Sequence, residues 1–221
     1  MLLPALALAT TALTAKAGGP MEQGTFTIGA ERITGIMHAD LKDSRPPPLQ
    51  DVTNGVTVIA LFGNGIFPAL DARELYTMPR VGFDYFVIDG LSLGGSLTLI
   101  HAAGENDSQT GFLFAPRIGY AYMFSDVVGI WPRGGFSYAH VGESPDDPAL
   151  NGESSHIFAF EIDVPLLIAP VKNFAITVGP LFDLTFGGSR TPGFRRGDPE
   201  PLSQDISLTM FGISAGLVGI L

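Results

Sequence analysis

The chain has 221 residues, no cysteine and a formal net charge of −10. Without thiols it can have no disulfide, thiolate metal site, cysteine nucleophile or lipid-modified cysteine, and an acidic balance is the wrong sign for binding nucleic-acid phosphates. Hydrophobic residues make up 46 % and charged residues 15 % of it, yet beyond the N-terminus no run approaches the ~18 apolar residues of a membrane helix.

In chain order, residues 1–13 form a short apolar run that ends in Ala15-Lys16-Ala17. A small-x-small site after such a run predicts a secretory signal over residues 1–17. Residues 25–37 read as the first strand. Residues 40–54 contain Pro46, Pro47 and Pro48 and are excluded as a central strand, because proline cannot donate to the ladder. Residues 55–62 are strand-like again, and residues 63–79, with Pro68 and Pro79, are irregular. Seven alternating segments follow: 80–88, 91–102, 111–124, 130–141, 156–168, 174–186 and 206–220. Three joins are short, at 89–90, 125–129 and 169–173. The others, 103–110, 142–155 and 187–205, are long and rich in Gly, Asp, Glu, Ser or Pro.

Strands joined by alternately short and long connections are the pattern of an outer-membrane β-barrel, with short periplasmic turns, long outer loops and an even strand number. Parity makes the last strand descend and the first ascend. That leaves residues 55–62 in the first outer loop and gives an all-β fold: an antiparallel up-and-down transmembrane β-barrel of about eight strands, residues 18–221 forming one domain.

Alternation also assigns faces. Leu91, Leu93, Leu97 and Leu99 point to lipid, as do Phe112, Phe114 and Ile118 on the next strand, Val81, Phe83 and Tyr85 on the preceding one, and Phe158, Phe160, Phe182 and Phe186 later. The opposite faces send Glu31, Asp84, Arg117, Arg133, Glu161, Asp163 and Asp183 into the lumen, five carboxylates around two guanidiniums. An eight-stranded barrel is just wide enough for its own side chains to fill, and buried charges must be paired. The expected arrangement is an ion-pair network that plugs the interior. A cation-favouring pore or proton path is the alternative.

Four histidines, His38, His101, His140 and His156, fall near the outer rim, where imidazoles beside an aromatic girdle are interfacial residues. No metal site and no cofactor are expected. Ser155-His156 with Glu153 or Glu143 has the residue types of a hydrolase, but neighbours in a loop do not make a triad, so no catalytic residues are assigned and the chain reads as non-enzymatic. Glu143, Asp146, Asp147 and Glu153 make one outer loop acidic. Arg190, Arg195 and Arg196 make another basic, with the geometry-matched guanidinium chemistry for lipopolysaccharide phosphates.

The hairpins Phe83-Asp-Tyr-Phe-Val-Ile-Asp-Gly-Leu-Ser-Leu-Gly-Gly95 and Arg117-Ile-Gly-Tyr-Ala-Tyr-Met-Phe-Ser-Asp-Val-Val-Gly-Ile-Trp131 resemble the small eight-stranded outer-membrane barrels of Gram-negative bacteria, the OmpA transmembrane-domain and OmpX type with their porin-like relatives. The resemblance covers nearly the whole mature chain. It implies insertion by the outer-membrane assembly machinery, outer-membrane lipid and lipopolysaccharide as surroundings, a monomer, and no defined chemistry. Leu221 stands where the family carries a terminal aromatic. The function expected is a structural or surface-interaction role through the outer loops. A narrow porin-like channel for ions or small solutes is the first alternative, and a soluble lipocalin-like barrel around an apolar ligand the second.

Overall fold

Long strands with apolar side chains on one face need an apolar surrounding on that face, and their backbones need a partner on both edges. The chain meets both demands by closing its sheet on itself. The computed structural model describes residues 21–44, 51–61, 72–104, 106–199 and 201–221. The predicted signal, residues 1–17, lies outside them.

The elements are β1 (Phe26–Ser44), β2 (Val52–Leu61), a short helix α1 (Ala72–Thr77), β3 (Arg80–Ile88), β4 (Leu91–Ala103), β5 (Asp107–Tyr120), β6 (Tyr122–Met123), β7 (Val128–Ile130), β8 (Arg133–Pro145), β9 (Leu150–Asn151), β10 (Ser154–Asp163), β11 (Leu166–Val171), β12 (Phe174–Thr191), β13 (Phe194–Arg195) and β14 (Gln204–Ile220). The sheet is antiparallel and closes as an eight-stranded barrel: β1, β3, β4, β5, β8, β10, β12, β14 and back to β1. β6, β7 and β11 continue β5, β8 and β10 toward the short-turn rim. Two of these breaks fall at Pro132 and Pro165, where the ladder loses a donor. Asp89-Gly90 makes the tightest join, with Gly90 at φ +77°, a conformation that costs glycine nothing.

Two sequence expectations fail here: residues 40–54, excluded as a central strand, are strand at 40–44 in β1 and at 52–54 in β2, and the assignment of residues 55–62 to an outer loop does not hold. Residues 55–61 are not loop but wall: β2 pairs along the long-loop half of β1, from Thr34↔Leu61 to Asp43↔Val52. Phe62, the last residue of that predicted segment, lies outside the described residues. β3 pairs with the other half of β1, from Phe26↔Tyr85 to Glu31↔Arg80. β2 and β3 are therefore two halves of one descending span, separated by residues 62–79. The even count survives because the interruption leaves and rejoins the wall at the same level. Parity places this strand-like segment in the loop because it takes every span to be a single unbroken strand.

The outward faces follow the alternation. Val81, Phe83, Leu93, Leu97, Leu99, Phe114, Ile118, Phe136, Phe158, Phe160, Phe182 and Phe186 are all exposed, giving the barrel an apolar exterior. Phe136, Phe158, Phe160 and Phe186 form one ring cluster, with centroids 4.6 to 6.3 Å apart. The long loops are tied together by β13, which pairs with β9.

Candidate functional site

The interior is layered along the barrel axis. At mid-height lies a belt of charge. Arg117 grips Glu31 through both terminal nitrogens (2.7 and 2.6 Å) and also donates to Asp84. Arg133 reaches the same Glu31 at 2.6 Å and forks onto Asp163. Glu31 thus sits between two guanidiniums. Asp183 accepts a fork from Arg32 (2.8 and 3.1 Å), and Glu161 accepts two bonds from Arg80 (2.9 and 2.7 Å) with Arg32 at 3.8 Å. All seven residues predicted for the lumen are in this belt.

Two belt members were not anticipated, Arg32 and Arg80, and they raise the guanidiniums from two to four against five carboxylates. Strict alternation sends Arg32 outward. Instead β1 slips in register against β14 between Ala30 and Thr34, and Arg32 takes φ +53°, so Glu31 and Arg32 both turn inward. A bulge of this kind re-aims a side chain. The sequence signal was an Arg on what would be the lipid face, where it would cost about 2–4 kcal/mol at mid-depth. Arg80 lay just inside a strand start, and its inward parity with Gly82 and Asp84 was legible. Gly82 is required for room: a Cβ there would come within 2.6 Å of Glu31 Oε1.

The belt leaves little space. A cavity of about 30 Å³ borders Glu31, Arg32, Arg80, Arg117 and Arg133, enough for roughly one or two waters and not for a continuous column. Toward the short-turn rim a second layer closes the axis. Trp131 is buried, lies under the Arg133 guanidinium at 4.7 Å, packs on Phe86 and donates from its ring nitrogen to Ser92 Oγ at 3.2 Å. Met21, Leu167, Ala175 and Val218 complete that apolar layer.

The long-loop half is different, with an apolar rather than a charged inward face. Met37, Ala39 and Leu41 of β1 face inward and are buried, as are Leu113 and Ala115 of β5, Ala139 and Val141 of β8, Ile157 of β10, and Leu208 and Met210 of β14. Around Leu113 and Ile157 the outward neighbours Phe112, Phe114 and Phe158 are also apolar, which blurs the alternation there, whereas along β1 and β14 it persists, with His38, Asp40, Lys42, Ser207 and Thr209 on the outward face. Helix α1 lies inside, on top of the belt. Leu75, Tyr76 and Met78 are buried in the apolar cluster. Tyr76 Oη bonds Ser137 Oγ at 2.8 Å, and its carbonyl accepts from Arg32 Nη1 at 2.6 Å. α1 is a floor anchored to the charges beneath it.

The same half has a seam. β2 pairs only with β1, and residues 98–103 of β4 pair only with β5. Among the described residues no strand bridges these two edges. Val56 and Val58 flank the seam on the inner face of β2, Ile100 on that of β4, and Val58 and Ile100 pack against the apolar interior. Their outward neighbours Ile59 and Leu99 are 70 % and 71 % exposed, more than most wall residues, because no adjoining strand covers them.

The remaining predicted residues sit at the long-loop rim. Arg190 forks onto Glu153 (2.7 Å for both bonds) and reaches Asp43 at 3.2 Å, while Arg195 and Arg196 are exposed. His38, His101, His140 and His156 all lie on the outward face of the long-loop half. Ser155 is buried and points inward while His156 points outward, so these neighbours cannot act on one substrate.

No family model and no curated protein matches the chain. Solved structures do. The outer membrane protein AlkL, determined in lipid bilayers, is 15 % identical over 92 % of this chain and 93 % of that one, with a TM-score of 0.51. The outer membrane protein OprG of Pseudomonas aeruginosa is 9 % identical over 89 % and 96 %, with a TM-score of 0.46. Ail, the attachment invasion locus protein of Yersinia pestis, is 12 % identical over 89 % and 99 %, with a TM-score of 0.38. At these identities the likeness is one of fold, and the fold is that of the small eight-stranded outer-membrane β-barrels.

Proposed function

We propose that this protein spans the outer membrane of a Gram-negative bacterium, long loops outward, and passes apolar molecules from its outer half-lumen sideways into the lipid. The observation that carries the reading is an apolar interior that meets an unpaired seam in the wall, above a floor of paired charge. Each methylene moved from water into the apolar lining gains about 0.8 kcal/mol. Moving on through the seam into lipid costs little, because both surroundings are apolar. The belt and the Trp131 layer oppose axial passage of ions, which supports this reading over the porin-like one. The apolar exterior disfavours a soluble lipocalin-like barrel.

The test is transfer of an apolar fluorescent solute into liposomes carrying the folded protein. Wild type should deliver it several-fold faster than empty liposomes, and Ile100→Trp, which fills the seam, should lose most of that gain. Equal rates for wild type and empty liposomes would overturn the reading. A second role, surface interaction through the outer loops, is favoured by exposed Arg195 and Arg196, which offer guanidiniums to lipopolysaccharide phosphates. Arg190 is engaged with Glu153 and Asp43 and contributes to loop structure in that role.

A further inference from the structure

The register of β8 against β10 sets His140 directly opposite His156. Both side chains are half-buried and share the outward face with Tyr138 and Phe158. The two rings are nearly parallel, 17° apart with centroids at 5.6 Å, and their Nδ1 atoms lie 3.4 Å apart. Phe112 backs His140 at 5.9 Å and limits how far that ring can swing.

That spacing is informative. Imidazole nitrogens bind Zn²⁺ at about 2.0–2.1 Å in tetrahedral geometry, which places two of them roughly 3.3 Å apart. The pair already holds two ligand atoms at that separation, on adjacent strands of a closed sheet. His38 and His101 are not so placed: His38 Nδ1 meets Thr57 at 2.8 Å and its Nε2 meets Asp40 at 3.3 Å, while His101 meets Thr110 at 3.1 Å.

We propose that His140 and His156 form a rim site for a divalent transition-metal ion, with Nδ1 of each ring as ligands and water in the remaining positions. Imidazole suits Cu²⁺, Ni²⁺ and Zn²⁺, whereas Mg²⁺ and Ca²⁺ demand oxygen donors, and the general affinity order puts Cu²⁺ first. Among the described residues no third His, Asp or Glu joins the pair. The site is therefore open, and its ion exchanges rather than being locked in a cage. A bound ion would clip β8 to β10 where they emerge into the long loops.

The test uses the folded barrel in detergent, with thermal unfolding followed as CuCl₂, NiCl₂, ZnCl₂ or MgCl₂ is added. Tm should rise with the three transition metals, most with Cu²⁺, and not with Mg²⁺. The rise should vanish in His140→Asn and in His156→Asn and persist in His101→Asn. Electron paramagnetic resonance of the Cu²⁺-loaded wild type, which needs no variant to fold, should show nitrogen hyperfine coupling from two imidazoles. An equal rise with Mg²⁺, a rise that survives His156→Asn, or an oxygen-only copper spectrum would overturn the proposal.

Discussion

The two halves of this barrel have opposite interiors, charged in one and apolar in the other. In the short-turn half every strand except the two-residue β6 is paired on both edges, and the axis is closed by paired charge and a buried tryptophan. In the long-loop half the interior is apolar, one span is interrupted, and a seam is left between β2 and β4. The difference shows what the charges are for. Four guanidiniums and five carboxylates are costly to bury and stabilise the barrel only while paired, so they are confined to the level where the wall is complete. Above it, apolar side chains carry no such requirement and tolerate an unpaired edge beside them.

The largest expected effect comes from breaking the belt. Arg133→Ala strips Glu31 and Asp163 of a partner in a buried setting, which costs about 3–5 kcal/mol. Unfolding in denaturant, read by the shift between folded and unfolded mobility on a gel, should show that loss. An unchanged midpoint would mean the belt does not hold the short-turn half together. Asp183→Asn should cost less, about 2–3 kcal/mol, because Arg32 keeps Glu161 and the Tyr76 carbonyl. Increased proteolysis between β2 and β3 would accompany it if α1 depends on Arg32. Tyr76→Phe, which removes the bond to Ser137, should cost about 1 kcal/mol and leave the belt intact.

Two substitutions sharpen the other half. Ile100→Trp adds bulk where Ile100 packs against the apolar interior and should cost about 1–3 kcal/mol, while slowing apolar transfer several-fold. A large loss of stability would instead mean that the seam is tightly packed. Arg195→Ala with Arg196→Ala should alter stability by less than about 0.5 kcal/mol and weaken lipopolysaccharide retention by the purified barrel. Unchanged retention would remove the loop-contact role.

Much of the short-turn half was legible in the sequence. Tight joins such as Asp89-Gly90 marked the hairpins, and alternation along the strands assigned the seven charges to the luminal face, while their meeting at one level emerges only from the register. The long-loop half hid itself for physical reasons. Where Leu113 and Ile157 face an apolar lumen and Phe112, Phe114 and Phe158 face outward, the period of two is blurred. β2 looked like a strand but was set aside by parity, since a span broken into β2 and β3 leaves the even count unchanged. Arg32 departed from alternation because a bulge turned it, a backbone event with no signature beyond a charge in the wrong phase. The seam itself follows from pairing between distant residues, which no local pattern encodes.

The charged belt and the Trp131 layer together close the barrel axis. Conductance of the folded protein across a planar bilayer tests it most directly. The account predicts no unitary steps above the bare bilayer for the wild type. Stable, reproducible conductance steps would contradict it and restore the reading of a narrow channel.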